Sequence, residues 1–176
     1  ETFQDALFGA LYCQMAKGEE KLLWEDVEQQ VEFLVAVQET RRDCPAELIL
    51  IQAVLSLKLH QNPSQHLRLL YDAKEKHAQK LRDHENFHRH HLNHYYITFN
   101  PDFTLRMAQE FLKHVYVLDK SQPPPASSSS SSPSLRISPM ESGLQLLQQL
   151  QSLVPGHLEA FILTIKVLME VNRWNE

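Results

Sequence analysis

Histidines are the residues of this sequence whose type and spacing most readily suggest chemistry. Half of the ten histidines fall in one short segment: His84, His88, His90, His91 and His94. Two pairs among them, His84/His88 and His90/His94, have the spacing that places two imidazoles one helical turn apart, where they could share a zinc ion. A structural zinc site, however, needs four ligands. No cysteine lies nearby, and Asp83 and Glu85 lie off the helix face that the histidines share. We therefore predict no metal ligand and interpret the cluster as half-buried histidines on one helix face or as a polar helix end. A His-cluster metal-binding protein remains an alternative.

Nucleophilic catalysis finds less support in the residue pattern. Cys13 and Cys44 lie in apolar helical surroundings or at a helix end. The sequence has neither a nucleophilic serine in a strand-to-helix turn nor a glycine-rich phosphate loop. The carboxylate pairs Glu19/Glu20 and Glu25/Asp26 fall in a polar loop and a first helical turn, where solvation and the helix dipole account for them. Because no nucleophile, base and orienting group come together, we predict no enzyme, no catalytic residue and no bound cofactor.

Two further features have a functional and a plainer interpretation. Tyr95, Tyr96 and Phe99, next to Asn100, could line a peptide groove, but such aromatic residues more often fill the space between stacked units. Ser138, which precedes a proline at the end of a serine-rich tract, is the most obvious phosphorylation site. Most tracts of this composition serve only as spacers.

Helices must position all of these residues, and the last third of the chain shows this most clearly. Residues 143–174 predict a helix, a Pro-Gly turn and a second helix. Gly143, Leu147 and Leu150 share a face and Pro155 closes the first helix, which is the second half of a tetratricopeptide pattern with a unit of about 34 residues. The following helix opens the next unit, and the sequence ends where we expect its partner helix.

Apolar residues at helical spacing predict the remaining helices. Residues 1–17 and the segment that opens with Trp24 are amphipathic, and residues 46–60 are apolar almost all round, as expected for a helix covered on several sides. A long helix over 65–92 follows, with Ser64 as its predicted cap. Its predicted stripe is Leu70, Ala73, His77, Leu81, His84, His88 and Leu92.

The next predicted helix has Asn100 as its cap and Pro101 as its first residue. Its predicted buried face comprises Phe103, Met107, Phe111 and Val115. Counting this helix, the sequence predicts an all-α, right-handed solenoid of tetratricopeptide type with about seven helices.

A change of composition divides the chain into three parts. Residues 1–118 are predicted to form tetratricopeptide-like helical hairpins. Residues 119–139, rich in proline and serine, cannot bury enough apolar surface to offset their ordering entropy and are predicted to be a disordered insertion. Residues 140–176 are predicted to continue the same helical array.

Bulk composition excludes several classes of function. The net charge of −5 argues against nucleic acid as a partner, and no apolar run is long enough to insert into a membrane. Two cysteines do not make a disulfide framework, which favours a reducing compartment. With only 4 glycines in 176 residues, a β-rich fold is disfavoured.

Several runs of the sequence, taken in order, resemble one family. They are Val27-Glu28-Gln29-Gln30-Val31-Glu32-Phe33-Leu34, Ala46-Glu47-Leu48-Ile49, Ala53-Val54-Leu55, Asn100-Pro101-Asp102-Phe103, and Val154-Pro155-Gly156 followed by Ala160-Phe161. Their order and spacing resemble an internal stretch of the large tetratricopeptide-repeat subunit of intraflagellar transport complex A. The similarity covers almost the whole chain apart from the histidine-rich helix end and the serine-rich insertion. The insertion after Gly18 and the His84–His94 cluster depart from the family pattern.

The resemblance implies a non-enzymatic scaffold that supports retrograde transport and cargo movement in cilia. It implies protein partners, the other subunits of complex A, rather than a small-molecule substrate. It also implies a cytoplasmic and ciliary location, at the axoneme and the basal body. The resemblance offers no catalytic residue.

Two expectations concern the surface of the array. The first helices of the units, over 1–17, 46–60, 101–118 and 157–171, are expected to line its inner side. Phe161, Ile165 and Leu168 are expected to leave apolar surface exposed and to drive self-association. A peptide-binding tetratricopeptide adaptor remains an alternative, although it needs inward cations, and those helices supply only Lys58, Arg106, Lys113 and Lys166.

Overall fold

The computed structural model describes residues 24–39, 44–87, 99–118 and 138–170, together with Gly9 and Cys13. These ranges contain six helices: α1 (Trp24–Glu39), α2 (Ala46–Lys58), α3 (Pro63–Phe87), α4 (Pro101–Leu118), α5 (Pro139–Leu153) and α6 (Leu158–Glu170). No strand occurs within the described ranges, and the predicted all-α class is confirmed. The predicted helix over 1–17 lies outside them except for Gly9 and Cys13, both of which are helical.

The chain divides into two compact units, Glu1–His77 and Ala78–Glu176, with the boundary inside α3. In the first unit, α1 packs on α2. Their shared core consists of Val27, Val31 and Leu34 from α1 with Leu48, Ile51 and Leu55 from α2. As the sequence predicted, α2 is buried nearly all round, so it is a covered helix rather than a surface one.

Two polar contacts connect α1 with the end of α2. His60 Nε2 and Glu28 Oε1 are 2.6 Å apart and hydrogen-bonded. The ammonium group of Lys58 lies 5.9 Å from the centre of the Trp24 ring, within the range of a cation–π contact. Both contacts lie at the rim of the apolar interface, so they contribute less to stability than the aliphatic core does.

The beginning of α3 corrects one prediction. Asn62 Oδ1 accepts a hydrogen bond from the Gln65 amide at 3.0 Å, and the Asn62 carbonyl accepts one from the His66 amide at 3.0 Å. Asn62 is therefore the cap, and the assignment of that role to Ser64 was wrong. The physical reason is Pro63, whose fixed φ and missing N–H suit the first helical position, so that the residue before it must cap the helix.

Replacing Asn62 with alanine is expected to lower the free energy of unfolding by about 1 kcal/mol, because the Gln65 amide loses its acceptor. Ser64→Ala is the matched control and is expected to change it by less than about 0.5 kcal/mol. Urea unfolding followed by circular dichroism measures both. Equal losses in the two variants would contradict the assignment of the cap.

The buried stripe of α3 follows the prediction as far as its side chains are described. Leu70, Ala73, His77 and Leu81 are all buried. His66, one turn before Leu70, is also fully buried and was not predicted. On the flank of this stripe, half-burial lowers the pKa of Lys74, while the neighbouring Glu75 carboxylate acts in the opposite direction.

In the second unit, α4 begins as predicted, with Asn100 as its cap. Asn100 Oδ1 accepts from the Phe103 amide at 3.2 Å, and Pro101 is the first helical residue. Asn100 has a φ of 44°, a left-handed conformation that asparagine tolerates better than most residues. Phe99, immediately before it, is fully buried, which favours a packing role over a groove; Tyr95 and Tyr96 lie outside the described residues.

Helices α4 and α5, which flank the serine-rich segment, pack extensively on each other. A Cβ atom on Gly143 would lie 3.0 Å from Leu112 and 3.4 Å from the Ala108 carbonyl, so α5 reaches the α4 backbone at this point. Ser138 and Glu141 form a reciprocal capping box, and α5 starts at Pro139, one residue earlier than predicted. Disorder of the segment and the three domain boundaries stay predictions, since residues 119–137 lie outside the described ranges.

Candidate functional site

The histidine cluster cannot be assembled into a site from the described residues. His84 lies in α3 with no described side chain, and His88, His90, His91 and His94 lie outside the described ranges. Within those ranges no group of three or more His, Cys, Asp or Glu side chains is arranged to hold a metal ion. The metal hypothesis and its simpler alternative therefore both stay at the level of prediction.

The histidines that α3 does present are buried side chains. His66 is fully buried, and His77 is 3% exposed. Eleven residues separate them, which at the rise of an α-helix is about 16 Å, too far for both to touch one ligand. A place in the packed stripe accounts for both residues, and the signal for His66 was the backward extension of the stripe by one turn from Leu70.

The remaining candidates for chemistry are the two cysteines and two pairs of carboxylates. Cys13 is helical and exposed, and its predicted surroundings lie outside the described residues. Cys44 is partly buried against the core of the first unit, close to its predicted place at a helix end. Glu25 and Asp26 lie exposed in the first turn of α1, where they complement the helix dipole. Glu19 and Glu20 lie outside the described residues.

A buried carboxylate pairs with two of the four cations that the first helices supply for the peptide-binding alternative. Glu110 of α4 is fully buried, with Arg106 Nε 3.3 Å and Lys113 Nζ 2.7 Å from its carboxylate oxygens. This internal pairing compensates the burial of the Glu110 charge and leaves the two cations less able to hold a peptide carboxylate. Lys58 is engaged with Trp24. The described residues therefore favour a packing role for these charges.

An apolar surface on α6 is the most prominent exposed feature of the described chain. The exposed residues that form it, the α6 face, are Leu158, Phe161, Ile162, Ile165, Leu168 and Met169. Exposure of Phe161 at 55%, Ile165 at 38% and Leu168 at 36% confirms the prediction made from the sequence. Soluble proteins rarely leave so many adjacent apolar side chains in water, so such a face indicates a surface that packs against further protein.

The opposite side of α6 holds the helix in place. Ala160 and Val167 are buried, and the Gln151 amide of α5 donates to Thr164 Oγ1 at 2.9 Å. The Gln109 amide of α4 donates to Glu159 Oε1 at 3.1 Å. Helix α6 is thus fixed on one side by α4 and α5 while its other apolar side faces outward.

None of the described helices combines the length and the apolarity that crossing a membrane requires.

Comparisons with known proteins agree with the repeat architecture. No solved structure matches the chain significantly. The chain is similar to human tetratricopeptide repeat protein 21B, with 29% identity over 168 residues, covering 95% of this chain and 11% of the relative. The chain thus corresponds to a small part of that protein.

A family model described as the second ARM domain of tetratricopeptide repeat protein 21 matches residues 1–169. ARM and tetratricopeptide repeats both stack short helices into an array, so this match agrees with the six helices found. The resemblance predicted from the sequence is thereby confirmed. With the match extending over nearly its whole length, the chain belongs to the family of the second ARM domain of tetratricopeptide repeat protein 21.

Proposed function

We propose that the chain is part of a non-enzymatic scaffold of intraflagellar transport complex A and supports retrograde transport and cargo movement in cilia. The family match over residues 1–169 is the observation that carries this proposal. The partners are the other protein subunits of complex A. The location is the cytoplasm and the cilium, at the axoneme and the basal body.

The geometry supports a role in protein–protein contacts. The second unit builds a helical stack in which α4 buries most of its described side chains, while α6 presents an apolar surface. Helical arrays of this kind bind partners through extended surfaces rather than through a pocket with converging polar groups. The same proposal includes the expectation that the first helix of each tetratricopeptide repeat lines the inner side of the array.

Purification of the native protein that contains these residues tests the proposal. A tagged form expressed in ciliated cells is expected to recover the other complex A subunits in constant ratio. Gly143→Leu, which forces α5 away from α4, is expected to reduce their recovery severalfold, and retrograde cargo is then expected to accumulate at the ciliary tip. Gly156→Leu is the control, because the space around Gly156 is open.

Absence of complex A subunits from the purified native protein would refute the assignment. The peptide-adaptor alternative has a separate test, which is calorimetric titration with a peptide that ends in a free carboxylate. We expect no heat of binding at micromolar peptide, because Glu110 already occupies Arg106 and Lys113. Micromolar affinity would favour the adaptor instead.

A further inference from the structure

Ser138 lies where the serine-rich segment meets helix α5. It is one of two serines in the chain that directly precede a proline, the other being Ser132. Ser138 is exposed, whereas Ser142, one turn further along α5, is fully buried. A serine directly before a proline is the sequence that proline-directed protein kinases modify. Among the described serines, Ser138 therefore combines this sequence with an accessible hydroxyl group.

The backbone at Ser138 has the conformation of a kinase substrate. Its φ of −60° and ψ of 153° are extended, because the ring of Pro139 disfavours a helical conformation for the preceding residue. A kinase cleft binds the residues around the acceptor serine as an extended chain. Only the first turn of α5 has to open for Ser138 to enter such a cleft, and helix ends open at little cost.

The exposure of Ser138 follows from its place in a connection between two helices. Helices α4 and α5 pack on each other, and Ser138 belongs to the part of the chain that joins them. Connections in a helical array lie along its edges and not between stacked repeats. Further repeats packed against these helices would therefore leave the Ser138 hydroxyl in water.

We propose that Ser138 is a phosphorylation site for a proline-directed kinase and that the phosphate replaces the capping box as the cap of α5. In the transfer, the Ser138 oxygen bonds to the γ-phosphorus of ATP, and the bond from that phosphorus to the bridging oxygen breaks. The nucleoside diphosphate leaves, and the hydroxyl proton passes to the catalytic base of the kinase.

Two groups at the start of α5 respond to the new charge. The Glu141 amide donates to Ser138 Oγ at 3.1 Å, and the first-turn amides and the positive end of the helix dipole attract a phosphate. The Glu141 carboxylate accepts from the Ser138 amide at 3.1 Å and is repelled by a phosphate on the same serine. Because Glu141 is exposed, its side chain can turn into water while the phosphate binds the first-turn amides.

The packing of α5 on α4 does not depend on the group that caps α5. Gly143 lies against Leu112, and Leu146, Leu147 and Leu150 are buried further along the helix. Phosphorylation therefore changes the charge at this edge of the helix pair and leaves the pair folded. A local change of charge on a folded surface is how a reversible modification alters protein contacts.

Mass spectrometry tests the site. The native protein that contains these residues, purified from cultured cells with phosphatase inhibitors, is expected to have phosphate on Ser138. A cyclin-dependent kinase with Mg-ATP is expected to add it to the purified 176-residue chain. Ser138→Asn is the matched control, because asparagine caps a helix as well as serine does but accepts no phosphate. Absence of phosphate from Ser138 in the cellular protein or in the treated chain would overturn the proposal.

Urea unfolding tests the exchange of caps, in a Ser132→Ala chain that confines the phosphate to Ser138. Phosphorylation is expected to change the folding equilibrium constant by less than about threefold, because attraction to the helix and repulsion from Glu141 oppose each other. In Glu141→Gln, which keeps a capping-box acceptor without the charge, the phosphate is expected to raise the constant roughly fivefold. A phosphate that fails to raise it in this variant would refute the phosphate cap.

Two controls separate the local effect from a change in net charge. Phosphorylation of Ser132 in a Ser138→Asn chain adds the same charge further from α5 along the sequence, and it is expected to change the folding equilibrium constant by less than about twofold. Salt at about 1 M is expected to remove most of the difference between Glu141 and Gln at that position. An equal effect of phosphate on Ser132, or a difference that salt leaves unchanged, would contradict the proposal. These measurements are independent of the transport role proposed above.

Discussion

Phe111→Ala is expected to lower the free energy of unfolding by about 4 kcal/mol. Phe111 is fully buried in α4, as is Phe103, and α4 is the helix against which α5 packs. Truncation removes the transfer free energy of the ring and leaves a cavity that the surrounding close-packed side chains fill only in part. Urea unfolding followed by circular dichroism measures the loss.

Phe161→Ala is the matched control for this prediction. Phe161 is the same residue type in the same unit, but it is 55% exposed on α6. Its truncation is expected to change stability by less than about 0.5 kcal/mol, measured at a protein concentration low enough to keep the chain monomeric. Comparable losses for the two phenylalanines would show that the assignment of inner and outer surfaces is wrong.

Gly143→Leu is expected to cost about 3 kcal/mol. Even a single Cβ atom at this position would lie 3.0 Å from both Cγ and Cδ2 of Leu112, which is itself buried. A leucine side chain has to displace Leu112 or separate α5 from α4, and strain of this kind exceeds the helix propensity gained by replacing glycine. Thermal or urea unfolding of the purified chain gives the magnitude.

A graded series at two positions isolates the steric cause. Gly143→Ala is expected to be nearly neutral, because the gain in helix propensity offsets the tight contact with Leu112. Gly156→Leu, in the turn between α5 and α6, is expected to be neutral because nothing lies within 4 Å of the added Cβ atom. A loss at Gly156 equal to that at Gly143 would exclude close packing as the cause.

Helix positions were largely predictable because they depend on local sequence. Periodic apolar residues placed α2 and α4 within two residues of their observed ends. The Asn100-Pro101 signal placed the start of α4 correctly. The same signal, Asn62-Pro63, stands at the start of α3, where the Gln65 amide donates to Asn62 Oδ1 under the same capping rule and Ser64 is not the cap.

The candidate surface was predicted in part. Phe161, Ile165 and Leu168 were expected to be exposed, and they are, but the exposed face also includes Leu158, Ile162 and Met169. A helix that is apolar on two sides does not reveal which side its neighbour covers. That choice depends on where α4 and α5 hold α6, through contacts such as Gln109 to Glu159 across a long stretch of chain.

The sequence alone determined that the chain is helical, where most helices begin, and which family it belongs to, because periodicity, caps and ordered motifs are properties of neighbouring residues. The tertiary structure decided which apolar stripe is covered, that Glu110 is buried, and that Gly143 meets Leu112. Burial and close contact depend on packing between helices that are far apart in the sequence. A local sequence pattern does not show which of those helices will pack together.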